Sequence, residues 1–271
     1  MSLGIVIKGP EGLVLAAESR VTLSAKLPDG QQTHVSFDNA TKLLSFSDPN
    51  KAVGVVTYGL AAIGMRTAHS FVPEFEAGLP KERLKVGEFA ERLGCFFMQQ
   101  WKAIMPADYA GPDMVFVVGG FDEGEPYGRV YLLEVPRNPR PVETNANPGE
   151  FGITWGGQRE HVDRLLLGFD PRLPEIVTKA LELSQEAQQA LQHALRGLQM
   201  QLPLSAMPLQ ECVNLAIFFL RTTISAQRLS VGIRGCGGPI DVATITRRDG
   251  LTFVQRKEVT GEAHATPEGG C

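Results

Sequence analysis

The chain has 271 residues, 43% hydrophobic and 21% charged, a balance that supplies apolar surface for a core and excludes a disordered chain. Its formal charge of −4 comes from 26 basic and 30 acidic residues with no basic block or arginine–aromatic stripe, which argues against a nucleic-acid partner. No apolar run reaches the roughly 18–20 residues of a membrane helix, and "KGPEG" cuts the first strand where an export signal would run on, so the chain reads as cytoplasmic, without membrane contact. Its cysteines, Cys95, Cys212, Cys236 and Cys271, make no C-x-x-C pair and read as free thiols, with Cys95 and Cys212 expected as buried small hydrophobes in helices.

Leu3–Ile7 and Leu13–Ala17 are predicted strands about the turn "KGPEG". The polar stretch from Arg20 to Asn39 carries its own turn signal, "PDG", and reads as a loop or extended excursion. Strand texture resumes at Lys42–Phe46 and Val53–Tyr58. Helical spacing then runs through "LAAIGMRTAHSFVPEF" and more strongly through "VGEFAERLGCFFMQQWKAI". "DMVFVVGGF", "GRVYLLEV" and "GEFGITW" return to strand. Three helical segments follow: "QREHVDRLLLG", the long "LPEIVTKALELSQEAQQALQHALRGLQM" and "PLQECVNLAIFFLRTTISAQ". "PIDVATIT" and "LTFVQR" close the chain as a hairpin.

Strands and helices thus come in groups and do not alternate as β-α-β units. Two antiparallel sheets stacked face to face, with helix pairs outside each, account for that grouping and for strands such as "VFVV" that are apolar on both faces. The expected fold class is α+β, a four-layer αββα sandwich, with residues 1–259 as one domain and 260–271 as a flexible tail.

The chemistry concentrates at the beginning. Loss of the initiator methionine before a small residue leaves Ser2 as a free amino terminus carrying its own hydroxyl. An α-amine titrates near ~7.7–8.0, so a useful fraction is neutral and can accept the hydroxyl proton, an established way to activate a hydroxyl nucleophile. The hairpin beginning at Leu3 would hold that terminus still.

These residues resemble the β-type subunits of the proteasome family, in the N-terminal nucleophile hydrolase superfamily. Such subunits open with a nucleophile, a strand, a turn and a "G-V-V-L-A-A-D-x-R" segment, matched here by "GLVLAAESR" from Gly12 to Arg20. The resemblance implies that Ser2 is the nucleophile, that Glu18 takes the place of the family's aspartate, and that Lys42 of "NATKLLSFS" is its lysine. It also implies that Gly59 of "VVTYGLAAIG" faces the tetrahedral oxyanion and that Arg20, Val21, Thr22, Thr57 and Ala61 bind substrate. The last matching serine is Ser230 in "AQRLS". The sequence departs from the pattern at Gly156 in "TWGGQ", where a serine is expected, and at Gln227, where a second aspartate is expected.

The function so implied is cleavage of peptide bonds, in peptide or unfolded-protein substrates, through an acyl-enzyme on Ser2 in a homo-oligomeric ring. An ATP-dependent unfoldase is left open as a partner, and no cofactor or metal is called for. No G-x-S-x-G elbow appears, and the five histidines show no metal spacing. Gly156 and Gln227 support a second reading, a ring-forming homologue that has lost catalysis; a third is a small-amide amidohydrolase of the same superfamily.

Overall fold

The computed structural model describes residues 2–26, 30–147, 149–232 and 234–261. Met1, whose removal the nucleophile requires, lies outside them, as do Pro28 and Asp29 of the "PDG" turn, His264, Cys271 and most of the expected tail.

In chain order the elements are β1 (Leu3–Lys8), β2 (Leu13–Glu18), β3 (Val21–Lys26), β4 (Gln32–Phe37), β5 (Leu43–Ser45), β6 (Val53–Gly59), β7 (Ala62–Ile63), β8 (Arg66–Thr67), α1 (Val72–Ala77) and α2 (Val86–Ile104). There follow β9 (Met114–Gly120), β10 (Arg129–Val135), β11 (Asn138–Thr144), β12 (Gly152–Gly157), α3 (Glu160–Leu167), α4 (Leu173–Ala180), α5 (Gln185–Arg196), α6 (Leu209–Leu229), β13 (Ile240–Thr246) and β14 (Gly250–Gln255). The fold is α+β. One five-stranded sheet has the order β12-β1-β2-β13-β14 and the other β11-β10-β9-β6-β5, with antiparallel pairing throughout.

Strands β1 and β2 are buried along their whole length because something covers each face. Leu3, Ile5, Ile7 and Val14 pack with Cys212, Ala216 and Phe219 of α6 and Val162 of α3. The alternate residues Val6, Leu13 and Leu15 meet Val56, Val115 and Val117 of the other sheet. The far face of that sheet, through Val55, Phe116 and Val118, meets Phe89, Leu93 and Phe97 of α2. Each such side chain contributes about 1.5–3 kcal/mol on burial, so the first hairpin is held from both sides.

The structure departs from the sequence expectations at several elements. The stretch after Arg20 is the extended excursion and not the loop: β3 and β4 pair as a hairpin, Val21 opposite Phe37. No helix begins at Leu60; Gly59 and Gly64 take positive φ (84° and 58°), values a helix interior does not use, and Pro73 sits in the first turn of the short α1, where its missing N–H is harmless. The long helix predicted from Leu173 is two, broken at Glu182 (φ 48°) and restarted by Ser184, whose hydroxyl accepts from Ala187 N. The "NPRPVET" segment, for which no element was expected, forms β11 at a sheet edge, where proline is tolerated. Finally Cys95 is exposed, because the buried face of α2 runs through Val86, Phe89, Ala90, Leu93, Phe97 and Trp101 and position 95 falls off it. Cys212 is buried as expected.

Candidate active site

The hairpin register, Gly4 opposite Ala17, sets the start of β1 beside the end of β2 and so brings Ser2 alongside Glu18. On its other side β1 pairs with β12, Leu3 opposite Gly157, and the Ser2 carbonyl accepts a 2.6 Å hydrogen bond from Gln158 N. Gly157 has φ 91°, and a Cβ there would fall 1.8 Å from the Ser2 carbonyl oxygen; only glycine lets the strands close this tightly. Ser2 itself is 5% exposed.

Glu18 is the hub. Its Oε1 accepts from Leu3 N (3.2 Å) and from Lys42 Nζ, and its Oε2 from Arg20 N (2.7 Å) and Gly237 N (3.0 Å). Lys42 Nζ also donates to the Arg20 carbonyl. Glu18 and Lys42 are both buried, an ion pair with its remaining valences satisfied, which is the condition for holding charge away from water. Burial holds the Lys42 ammonium below the usual lysine value, and the Glu18 carboxylate opposes that shift without cancelling it. Lys42 therefore releases a proton more readily than a surface lysine while sitting against a fixed anion.

Ser2, Lys42, Val21, Thr57, Tyr58 and Ala61 are among the residues lining one cavity of about 30 Å³, enough for an oxygen or a single water. Leu60 and Ala61 also line a larger, mostly apolar cavity of about 680 Å³ with Thr22, Gly59, Met105 and Tyr109. The structure thus gathers Ser2, Glu18, Val21, Lys42, Thr57 and Ala61 at one point and sets Thr22 and Gly59 in the adjoining cleft. A Cβ at Gly59 would lie 2.2 Å from the Asp113 carbonyl oxygen, so that position too is fixed as glycine. Arg20 enters through its backbone only; its guanidinium turns away to chelate Asp38 at 2.8 and 3.0 Å.

Ser230 is not gathered there. It is the exposed residue capping the C-terminal end of α6, and its amide bonds Ala226 O. Gln227 bridges the surroundings of Ser2: its Nε2 donates to Gln158 Oε1 (3.2 Å) and its Oε1 accepts from Cys236 N (2.8 Å). Gly156 is occupied from outside, since a Cβ there would fall 2.3 Å from the Tyr58 hydroxyl oxygen. Tyr58 is the residue that sequence reasoning missed. Its ring also lies over Gly4, it is 9% exposed, and its hydroxyl has no hydrogen-bond partner among the described residues; burial raises its pKa to about 12, so it stays protonated. The available signal was a polar aromatic directly before Gly59. Cys236 was likewise unplaced. It is buried, with its thiol pushed up to about 12 by burial and by the nearby Glu18, and so is no competing nucleophile.

Among the described residues no cluster of three His, Cys, Asp or Glu side chains forms a metal site, and no helix is long and apolar enough to cross a membrane.

No protein-family model matches the sequence, and neither does any curated protein. Solved structures do. The chain is similar to the Anbu (Gly-1) mutant from Hyphomicrobium sp. strain MC1 (TM-score 0.55, 15% identity, covering 95% of this chain and 86% of that one). It is similar to the Anbu complex from Pseudomonas aeruginosa, solved as a helical assembly (0.57, 16%, 94% and 88%), and to Anbu, the ancestral beta-subunit, from Yersinia bercovieri (0.53, 16%, 93% and 86%). These neighbours overturn the assignment to the proteasome β-type subunits: Anbu proteins are proteasome-like but distinct. The segment that carried the resemblance, Gly12 to Arg20, is mostly the buried strand β2, so it reports a framework more than one family's membership. At this identity the likeness establishes a shared fold.

Proposed function

We propose that the chain is an N-terminal nucleophile hydrolase of Anbu-like fold that cleaves amide bonds in peptides through Ser2. The observation that carries this is the buried Glu18–Lys42 ion pair, whose lysine lines the same small cavity as Ser2. With Met1 removed, the Ser2 amine takes the hydroxyl proton as Oγ attacks the substrate carbonyl carbon. Lys42 supplies a positive field that favours the attacking alkoxide, and the developing oxyanion finds backbone donors at Gly59 and the protonated Tyr58 hydroxyl. Collapse breaks the C–N bond, the leaving amine takes the proton from the terminal ammonium, and water admitted to the same place hydrolyses the ester. Val21, Thr22, Thr57 and Ala61 would border the bound peptide, and the large apolar cleft beside them favours a peptide over a small amide.

The same reading takes residues 2–259 as one domain with an αββα layering, which the three apolar clusters support, and takes the working form as a homo-oligomer. The P. aeruginosa neighbour's helical assembly supports association without requiring a closed ring. A catalytically silent scaffold is the second reading, favoured by the neutral Gln227 and the remote, exposed Ser230.

Intact-mass measurement decides between them. The hydrolase shows a chain lacking Met1 that gains the mass of a peptide epoxyketone, a reagent that needs both amine and hydroxyl on one residue; Ser2→Ala shows no gain. A chain that retains Met1, or that loses it and takes up no reagent, leaves the scaffold. Mass photometry at micromolar concentration tests assembly, and a monomer there refutes that part.

A further inference from the structure

Two cavities lie near the Glu18 hub, and Ser2 lines neither. One, of about 400 Å³, is lined by Arg221, Ile224, Ser225 and Arg228 of α6 against Gly238–Ile240 and Gln255. The other, of about 220 Å³, is lined by Arg20, Arg228, Arg234, Cys236 and Gly237 among others. They share Ile224, Arg228 and Gly238 and so form one cleft.

The charge there is one-sided. Arg129, Arg137, Arg159, Arg164 and Arg172 each have a carboxylate partner, but Arg221, Arg228 and Arg234 have none among the described residues, and no acidic residue lines either cavity. The carboxylates beside it are already engaged, Asp38 by the Arg20 guanidinium and Glu18 by Lys42. Arg228 in the last turn of α6 offsets the helix dipole, but that accounts neither for Arg221 two turns earlier on the same face nor for Arg234 in the loop beyond. The floor is left bare: a Cβ at Gly237 would fall 2.4 Å from the Arg20 guanidinium carbon, and Gly238 has φ 73°.

Guanidinium groups gathered in one cleft repel, and their planar forks match carboxylate and phosphate oxygens two at a time. We propose that this cleft binds a small polyvalent oxyanion, a phosphate- or carboxylate-bearing molecule gripped by Arg221, Arg228 and Arg234. Ile224, Pro239 and Ile240 give it an apolar wall for the carbon part of such a ligand, and its combined size lies in the usual range for small-molecule sites. No aromatic side chain lines it, which disfavours a stacked single strand of nucleic acid. The site also reaches the candidate active centre: Gly237, on its floor, donates to Glu18 Oε2, the carboxylate that holds Lys42.

Calorimetric titration of the full chain with tripolyphosphate, citrate and inorganic phosphate at low ionic strength tests the assignment without reference to hydrolysis. Tripolyphosphate or citrate should bind with one site per chain. The double change Arg228→Ala with Arg234→Ala should weaken binding at least about tenfold, Arg228→Lys less, since it keeps charge and loses the fork. Arg140→Ala, removing another arginine without a carboxylate partner, should leave affinity unchanged, and melting curves without ligand confirm that each variant folds. No saturable binding by any of the three anions, binding unaltered in the double variant, or an equal loss in Arg140→Ala overturns the proposal.

Discussion

Strand β1 runs between two buried lysines. At its start Lys42 sits beside Ser2 and at its end is Lys8, each less than a tenth exposed, and burial pushes both ammonium groups below the usual lysine value. Their partners differ. Lys42 bonds a carboxylate that is itself held by three backbone N–H groups, next to a hydroxyl and open to a cavity. Lys8 donates to the Asn145 carbonyl at 2.7 Å, and the nearby Glu143 is engaged by Arg129 through two hydrogen bonds. No serine, threonine or thiol lines the cavity at that end. A buried, perturbed lysine is therefore not a site by itself; what distinguishes the Ser2 end is a nucleophile and a dedicated counter-ion assembled around it.

The largest effect should come from exchanging the two lysines' fates. Lys42→Met is expected to slow epoxyketone labelling of Ser2 by roughly 10²–10³-fold, the scale of a lost preorganised electrostatic group, while Lys8→Met leaves the labelling rate unchanged. Equal rates in the two variants would erase the distinction between the ends. Glycines offer the next contrast. Gly157 and Gly124 both have positive φ, but a Cβ at Gly157 meets the Ser2 carbonyl at 1.8 Å, whereas at Gly124, beside the Lys8 cavity, it meets nothing within 4 Å. Gly124→Ala should lose about 1 kcal/mol in urea unfolding, from backbone strain alone; Gly157→Ala should lose about 3 kcal/mol or more, because two strands must part. Similar losses would mean the clamp on Ser2 is looser than its geometry.

The hairpin that carries Ser2 was legible because its causes are local: two runs of alternating inward and outward apolar residues around a Gly-Pro turn. Helix α2 was legible for the same reason, its period written in Phe89, Leu93, Phe97 and Trp101. The Glu18–Lys42 pair was not derivable from spacing. The two residues are 24 positions apart, and the β3–β4 hairpin that brings them together reads as a polar loop, since its outer residues are exposed and send no periodic signal. It came through the family resemblance, which placed the residues while misassigning the family. Tyr58 could not be read at all. Its position depends on the absence of side chains at Gly4 and Gly156, on two different strands, and only the assembled sheets reveal that a phenol fills the space a side chain at 156 would take.

That phenol sets a smaller prediction. Because the Tyr58 hydroxyl bonds to no described residue, Tyr58→Phe should leave urea stability nearly unchanged and slow Ser2 labelling by about five- to tenfold, the worth of one neutral hydrogen bond. A matching change at the other end, Tyr131→Phe, removes a hydroxyl bonded to Glu143 at 3.2 Å and should do the reverse, lowering stability while sparing labelling. If Tyr58→Phe unfolds the protein or labels at the normal rate, the phenol is packing alone.

The smallest effect is a slope. For a lysine whose ammonium is disfavoured by burial, the unfolded chain binds the proton more strongly than the folded one. Stability then rises with pH between the lowered folded value and the ordinary 10.5, and is flat below that window, where both states are protonated. Other groups act oppositely: Cys236 and Tyr58, raised to about 12, make stability fall as pH climbs from 9 or 10 toward 12. Subtracting the Lys8→Met profile from that of the parent chain cancels those contributions and isolates Lys8. The difference in unfolding free energy should be level in mild acid and should shift in favour of the parent as pH approaches 10.5. A difference running the other way would mean that Glu143 and Glu150, which favour the Lys8 charge, outweigh its burial. The Lys8 end would then hold a true ion-pair network, and the contrast with Lys42 would rest on the nucleophile alone.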